Sequence, residues 1–300
     1  MINLFSVFPI SLRPLPKWPK MEIFKQIAPL KAFLKGAKLA GKTVGLVPTL
    51  GALHQGHISL VEASKTQNSV TVATIFVNPT QFNNPEDLKK YPKTLDKDVA
   101  LLEKVGCDAV FCPETEEMYD QPSILKFDFG HLDKVMEGQF RPGHFSGVAL
   151  VVSKLFHIVE PHHAYFGQKD WQQFAVIRTL VDELKFGLEL HFIPTMREAD
   201  GLAMSSRNLR LDEHQRVHAT IFYKALSYAR EALRSGQDVG DVKKRVQSMV
   251  DQEPGMRLEY FEATDSKNLT VLDNVKDAGH VILCIAGYAG EIRLIDNLFL

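Results

Sequence analysis

Between residues 43 and 193 short β-branched runs alternate with helical patterns, and that alternation leaves few architectures open. Thr43–Val47 reads as a strand, followed by a glycine-bearing loop and a helix over Ile58–Lys65. Val70–Val77 (VTVATIFV) is almost continuously apolar, as a strand covered on both faces must be. The series continues with a helix start at Pro85, a helix over Lys97–Val105 and a strand at Asp108–Cys112. A helix over Val148–Val159, a short strand at Ala164–Phe166, a helix over Trp171–Leu184 and a strand at Leu188–Ile193 complete it. Strands separated by helices imply right-handed crossovers and a mostly parallel, doubly wound α/β sheet. Ligands of such sheets bind beyond the carboxyl ends of the strands, so the loops that follow strands are where chemistry is sought.

The pattern changes after about Thr195. A polar, arginine-bearing loop runs to Arg210, two helices follow over Asp212–Arg234 and Val239–Asp251, and the tail carries strands at Leu258–Thr264, Val281–Ala286 and Glu291–Ile295. The expected organisation is a larger domain over 21–195 and a smaller α+β domain over 196–300, which suits a chain of 300 residues. Residues 1–20 are proline-rich and basic, with their charges after the apolar part, the wrong order for a secretory signal. They are expected to be a disordered extension, or to precede a true translation start at Met21, where a helical pattern begins; intact mass decides between these.

Lys and Arg number 35 against 36 Asp and Glu, so no basic field exists to hold a nucleic-acid backbone. No apolar run reaches the length of a membrane span. Cys107, Cys112 and Cys284 are too few and too odd for a disulfide framework and read as small buried thiols in a reducing, cytoplasmic compartment.

Four loop segments carry candidate chemistry. PTLGALHQGH, Pro48–His57, follows the first strand; its glycines admit close backbone approach, and a helix after His57 would present N–H groups and a positive dipole end. His54 and His57 could donate hydrogen bonds to phosphate oxygens and stabilise charge developing there. Either could instead be a cap or a core residue. The pair could also ligate zinc, although no HExxH glutamate accompanies it. After the second strand, Asn78 and Gln81 bring neutral amides to the same sheet edge, where they could hold hydroxyls and a carboxylate. In FGQKDWQQ, Lys169 could reach phosphates, Asp170 would cap the next helix and Gln173 lies one turn on. Met204-Ser205-Ser206-Arg207 suits a closing phosphate clamp, or a solvated linker.

Together these segments resemble the pantoate–β-alanine ligase (pantothenate synthetase) family. The likeness runs from about Met21 to the C-terminus through PTLGALHQGH, FVNPTQF, PEDLKKYPKTLDKD, RPGHFSGV, FGQKDWQQ, READGLAMSSRN and RLIDN. It implies a Rossmann-like domain of the HxGH nucleotidyl-transfer type with a C-terminal lid, and a homodimer. The implied reaction joins (R)-pantoate to β-alanine through a pantoyl-adenylate, at the expense of ATP with Mg²⁺, releasing pyrophosphate and AMP. By position, the resemblance assigns Leu50, Gly51, Ala52, Leu53, His54, Gln55, Gly56 and His57 to an ATP cradle, with His57 as proton donor and His54 beside it. It places Gly167, Gln168, Lys169 and Asp170 on the nucleotide, and the Met196 backbone at adenine. Met204, Ser205, Ser206 and Arg207 form a second phosphate-binding segment, and Gln81 and Gln173 hold pantoate. It assigns no protein ligand to a metal. Leu50 and Thr80 stand where Met is usual, and Gln168 where Glu is common. Leu50 should conserve volume, Gln168 should remove charge near the phosphates, and Thr80 should alter the pocket's shape. Two rival readings are a nucleotidyltransferase with another acceptor and a non-enzymatic nucleotide-binding module; pantoate-dependent pyrophosphate exchange separates all three.

Overall fold

The computed structural model describes residues 20–300; residues 1–19, and with them the expectation for an N-terminal extension, lie outside the described residues. Six strands form one sheet: β1 (Glu22–Phe24), β2 (Val44–Thr49), β3 (Val70–Ile75), β4 (Ala109–Phe111), β5 (His163–Gly167) and β6 (Glu189–Ile193). Their order is β1-β4-β3-β2-β5-β6 and every pairing is parallel. The helices that matter for the site are α1 (Ile27–Leu39), α2 (Gln55–Gln67), α3 (Leu95–Lys104), α4 (His144–Val159) and α5 (Trp171–Leu184). Side chains alternate across the strands: Leu46, Val72, Phe111 and Phe166 join the core under α1, α4 and α5, whereas Val47, Ala73, Val110 and Tyr165 face the one under α2 and α3. Both faces are therefore buried, which explains the uninterrupted apolar strands. From β2 the chain moves outward through β3 and β4, then returns to place β5 on β2's other side, creating a switch point between β2 and β5.

Three further strands, β7 (Met256–Asp265), β8 (Val281–Ala289) and β9 (Ile292–Phe299), form an antiparallel sheet in that order. Against it pack α6 (Ile221–Arg234) and α7 (Val239–Asp251), with Leu226, Val242, Val246, Leu283 and Ile285 fully buried between them. Three readings of the sequence need correction. Residues 22–24, expected to open a helix, pair as an edge strand with β4, because a short segment beside an existing edge satisfies its backbone there. The expected single helix over Asp212–Arg234 is two, Glu213–His218 and α6. Helix α2 starts at Gln55, not after His57, and its N-cap is His54. Among the described residues no helix is long and apolar enough to cross a membrane, and the three cysteines are buried free thiols.

Candidate active site

The loops leaving β2, β5 and β6 line a single cavity at the carboxyl rim of the sheet. It receives Leu50, His54, Gly56 and His57 from the first loop, Asn78 and Gln81 from the loop after β3, and Gly167, Lys169, Asp170 and Gln173 around the start of α5. Met196, Met204, Ser205, Ser206 and Arg207 close it. Gly51, Ala52, Leu53, Gln55 and Gln168 do not line it. Gln168 turns away instead, its Nε2 donating to Asn297 Oδ1 on β9 (3.3 Å).

The histidine turn is built from backbone hydrogen bonds. Gly51 and Ala52 both have positive φ (83° and 50°), and the buried carboxylate of Asp98 on α3 accepts from Ala52 N (2.9 Å) and Leu53 N (2.8 Å). Thr94 Oγ1 donates to the same carboxylate. Next, His54 Nδ1 accepts from Gly56 N (3.1 Å), and His57 Nδ1 accepts from His54 N (3.2 Å), a reciprocal capping box. A side chain at Gly56 would meet the His54 ring at 2.9 Å, so only glycine fits that approach. Because each Nδ1 accepts, a neutral ring must carry its proton on Nε2. Both rings are neutral: burial first, then the Lys169 charge, lowers His54 to about 4, and burial, His54 and Lys169 hold His57 well below its usual value. The turn thus supplies two uncharged N–H donors with ring centroids 4.0 Å apart. Among the described residues no third His, Cys or carboxylate completes a metal-ligand group with them.

Cations reach the cavity paired with carboxylates. Lys169 Nζ sits 3.2 Å from Asp170. Asp170 makes no side-chain cap to α5, contrary to expectation, because its carboxylate is turned to that lysine. Arg207 and Arg210 share Asp87 at 2.8 and 3.0 Å, and the two guanidinium groups hold its carboxyl below the usual range against the opposing effect of burial. Ser206 Oγ donates to Ala52 O (2.9 Å), docking the segment on the histidine turn. The Met196 carbonyl accepts from Met204 N (3.0 Å). Lys169, Arg207 and Arg141 face one lining carboxylate, Asp170, so a chain of net charge −1 concentrates positive charge at one place.

The amide end corrects a further expectation. Asn78 is fully buried: its Nδ2 donates to Gln81 Oε1 (3.0 Å) and Gly147 O (3.2 Å), and its Oδ1 accepts from Tyr119 Oη (2.8 Å) and Thr80 Oγ1 (3.0 Å). Asn78 is therefore a positioning residue with no hydrogen-bonding capacity left for a ligand, and Thr80 lies beneath it without lining the cavity. Gly147 permits this packing, since a Cβ there would lie 2.2 Å from Thr80 O. Gln81 keeps its amide N–H₂, and Gln173 its whole amide, unpaired among the described residues. Two residues given no role by sequence complete this end. His144 Nδ1 lies 2.8 Å from Gln81 O, and Nε2 lies 3.2 Å from Arg141; burial and Arg141 lower His144 to about 3. Arg141 in turn lies 3.5 Å from Glu137, which Arg293 of β9 grips at 2.8 and 2.6 Å. RPGH before an apolar helix was the available signal, but the Gln81 partner of His144 lies 63 residues away, and Arg293, which holds Glu137, lies 156 residues from it.

A parallel sheet with an HxGH turn at its switch point and a cationic cavity defines a Rossmann-like α/β protein shaped to hold a polyanion. Residues 22–299 match the family model described as pantoate-beta-alanine ligase. The chain belongs to that family. It is 49% identical over 278 residues to the pantothenate synthetase of Bacteroides fragilis strain YCH46, covering 93% of this chain and 98% of the relative, and 48% identical to that of Porphyromonas gingivalis strain W83, covering 93% and 99%. Its fold superposes on the crystal structure of the pantothenate synthetase of Thermus thermophilus (TM-score 0.87, 40% identity, 93% and 99% of the two chains). It also superposes on a Francisella tularensis pantoate-beta-alanine ligase complexed with beta-gamma ATP and beta-alanine (TM-score 0.77, 34%, 93% and 97%).

Proposed function

We propose that the cavity condenses pantoate with β-alanine by way of a pantoyl-adenylate, with ATP as the activating substrate. The observation that carries the reading is the convergence of His54, Lys169 and Arg207 on one cavity whose other end holds unpaired glutamine amides and apolar side chains. The triphosphate lies along the histidine turn, with adenine toward Met196. Neutral His54 and His57 donate from Nε2 to phosphate oxygens, so His57 acts as a hydrogen-bond donor and not as a cationic acid. Lys169 and Arg207 exchange their carboxylate partners for phosphate. Gln81 and Gln173 hold the pantoate hydroxyls and carboxylate, while Val148, Val151 and Val152 of α4 receive its gem-dimethyl group. Alignment of carboxylate and α-phosphorus, with donors fixed where charge develops, supplies most of the acceleration. β-Alanine then attacks the acyl carbon and AMP leaves with the bonding electrons; the displaced amine proton passes to solvent.

Mg²⁺ fits as a companion of the triphosphate: Asp170 is the lining's one carboxylate and would be the residue to hold the ion, which when bound would offset charge on the departing pyrophosphate. Residues 196–300 serve as a lid whose 204–207 segment shields the labile adenylate from water. The protein works in the cytoplasm as a homodimer. AMP release from purified protein with ATP, Mg²⁺ and pantoate, with and without β-alanine, tests the reaction. Full turnover should need all substrates, while pyrophosphate exchange should need pantoate but not β-alanine. Exchange independent of pantoate would reject ligation, and sedimentation velocity tests the dimer.

A further inference from the structure

At the opposite end of the sheet from the cavity, the first residues of β5 and β6 bring together His163, Glu189 and His191. His163 and Glu189 are register partners, and His191 lies two residues along β6, hence on the same face. His163 Nδ1 lies 3.0 Å from His191 Nε2, and the Glu189 carboxylate lies 3.9 Å from the first nitrogen and 3.7 Å from the second. A tetrahedral ion with bonds of about 2.0–2.1 Å requires its ligands about 3.3 Å apart; the two nitrogens stand close to that spacing, and a carboxylate oxygen lies within 4.8 Å of both, Oε2 being the nearer to His163 and Oε1 to His191. The His191 imidazole is held in place: its ring stacks on Tyr165 at 4.9 Å, and the Tyr165 hydroxyl is fixed by Gln67 (2.6 Å) and Asn68 (2.8 Å) of the α2 C-terminal end. Glu189 is 68% exposed at its side chain and free to turn inward, leaving a fourth position to water.

We infer that His163, His191 and Glu189 form a surface site for a borderline divalent ion of the Zn²⁺ class, stapling the edge strand β6 to β5. Two imidazoles with facing nitrogens and one carboxylate are a donor set suited to Zn²⁺ and unsuited to Mg²⁺. Among the described residues strand β6 has one sheet neighbour, and it runs straight into Pro194, Thr195 and Met196 of the cavity wall, so the staple steadies that wall without touching it. Metal-free protein is titrated with ZnCl₂ against a chromophoric chelator, in parallel with His163→Ala/His191→Ala and with Glu189→Gln, which keeps both rings. The native chain should bind one equivalent of zinc more than the double variant, E189Q should bind it at least about tenfold more weakly, and Zn²⁺ should raise the melting temperature of the native chain alone. Turnover in zinc-free buffer should be the same for all three. Equal zinc binding by the native chain and the double variant overturns the site.

Discussion

The histidine turn and the 204–210 segment bring hydrogen-bond donors to the same cavity, but they are held in opposite ways. His54 and His57 are fixed by main-chain hydrogen bonds and by the Asp98 carboxylate beneath them, and burial keeps both rings uncharged. Arg207 arrives from the other half of the chain and is held through Asp87, as Lys169 is through Asp170. Neutral donors anchored at Nδ1 need not reorganise when a phosphate comes. Charged groups lose a carboxylate when they gain a phosphate, so the net benefit of each is smaller than its charge implies.

The largest effect expected from that contrast is on His57. His57→Ala should lower the rate of pantoate-dependent pyrophosphate exchange by roughly 10²–10³-fold, the scale for one fixed donor at a developing charge. Arg207→Ala should cost about 10–100-fold in the turnover of adenylate formation, the worth of a charge-assisted bond, with little change in pantoate binding. Unchanged single-turnover rates would remove Arg207 from the chemistry. If R207A proves more damaging than H57A, the contrast itself is broken.

Asp98→Ala tests the support of the turn. It strands one buried and one half-buried N–H group and leaves Ala52 with a positive φ, so about 1–3 kcal/mol of stability should be lost, read by denaturant unfolding. His144 makes the amide end sensitive to acid. The unfolded chain binds a proton on this ring below about 6.5, and the folded protein refuses it until about 3. Stability therefore falls by up to about 1.4 kcal/mol per pH unit on acidification through that window, and His144→Gln should flatten the slope of melting temperature against pH. Leu50→Met should do least, shifting the KM for ATP by no more than about twofold, because the side-chain volume is kept.

Much of the architecture was legible because it rests on local pattern. The helix over Trp171–Leu184 matches its expected bounds, and the alternation of strand and helix led directly to a parallel sheet with its loops at one rim. Strand β1 was missed because three residues carry no periodicity, and only the β4 edge makes them a strand. At the cavity, the residues named from motifs are mostly the ones that line it, yet Asn78 was misjudged. Its amide is consumed by Tyr119, Gly147 and Gln81, and no local reading could see those contacts.

The amino-acid order alone therefore determined the fold class, the loops that carry function and, through several motifs in register, the family. It did so because helix and strand periods and the placement of glycine and histidine are properties of neighbouring residues. The tertiary structure decided which groups are left to act. The pairing of Arg207 with Asp87, and the chain from Arg293 through Glu137 and Arg141 to His144, depend on partners far apart in sequence. The protonation and free valence of a polar side chain are set by what surrounds it in space.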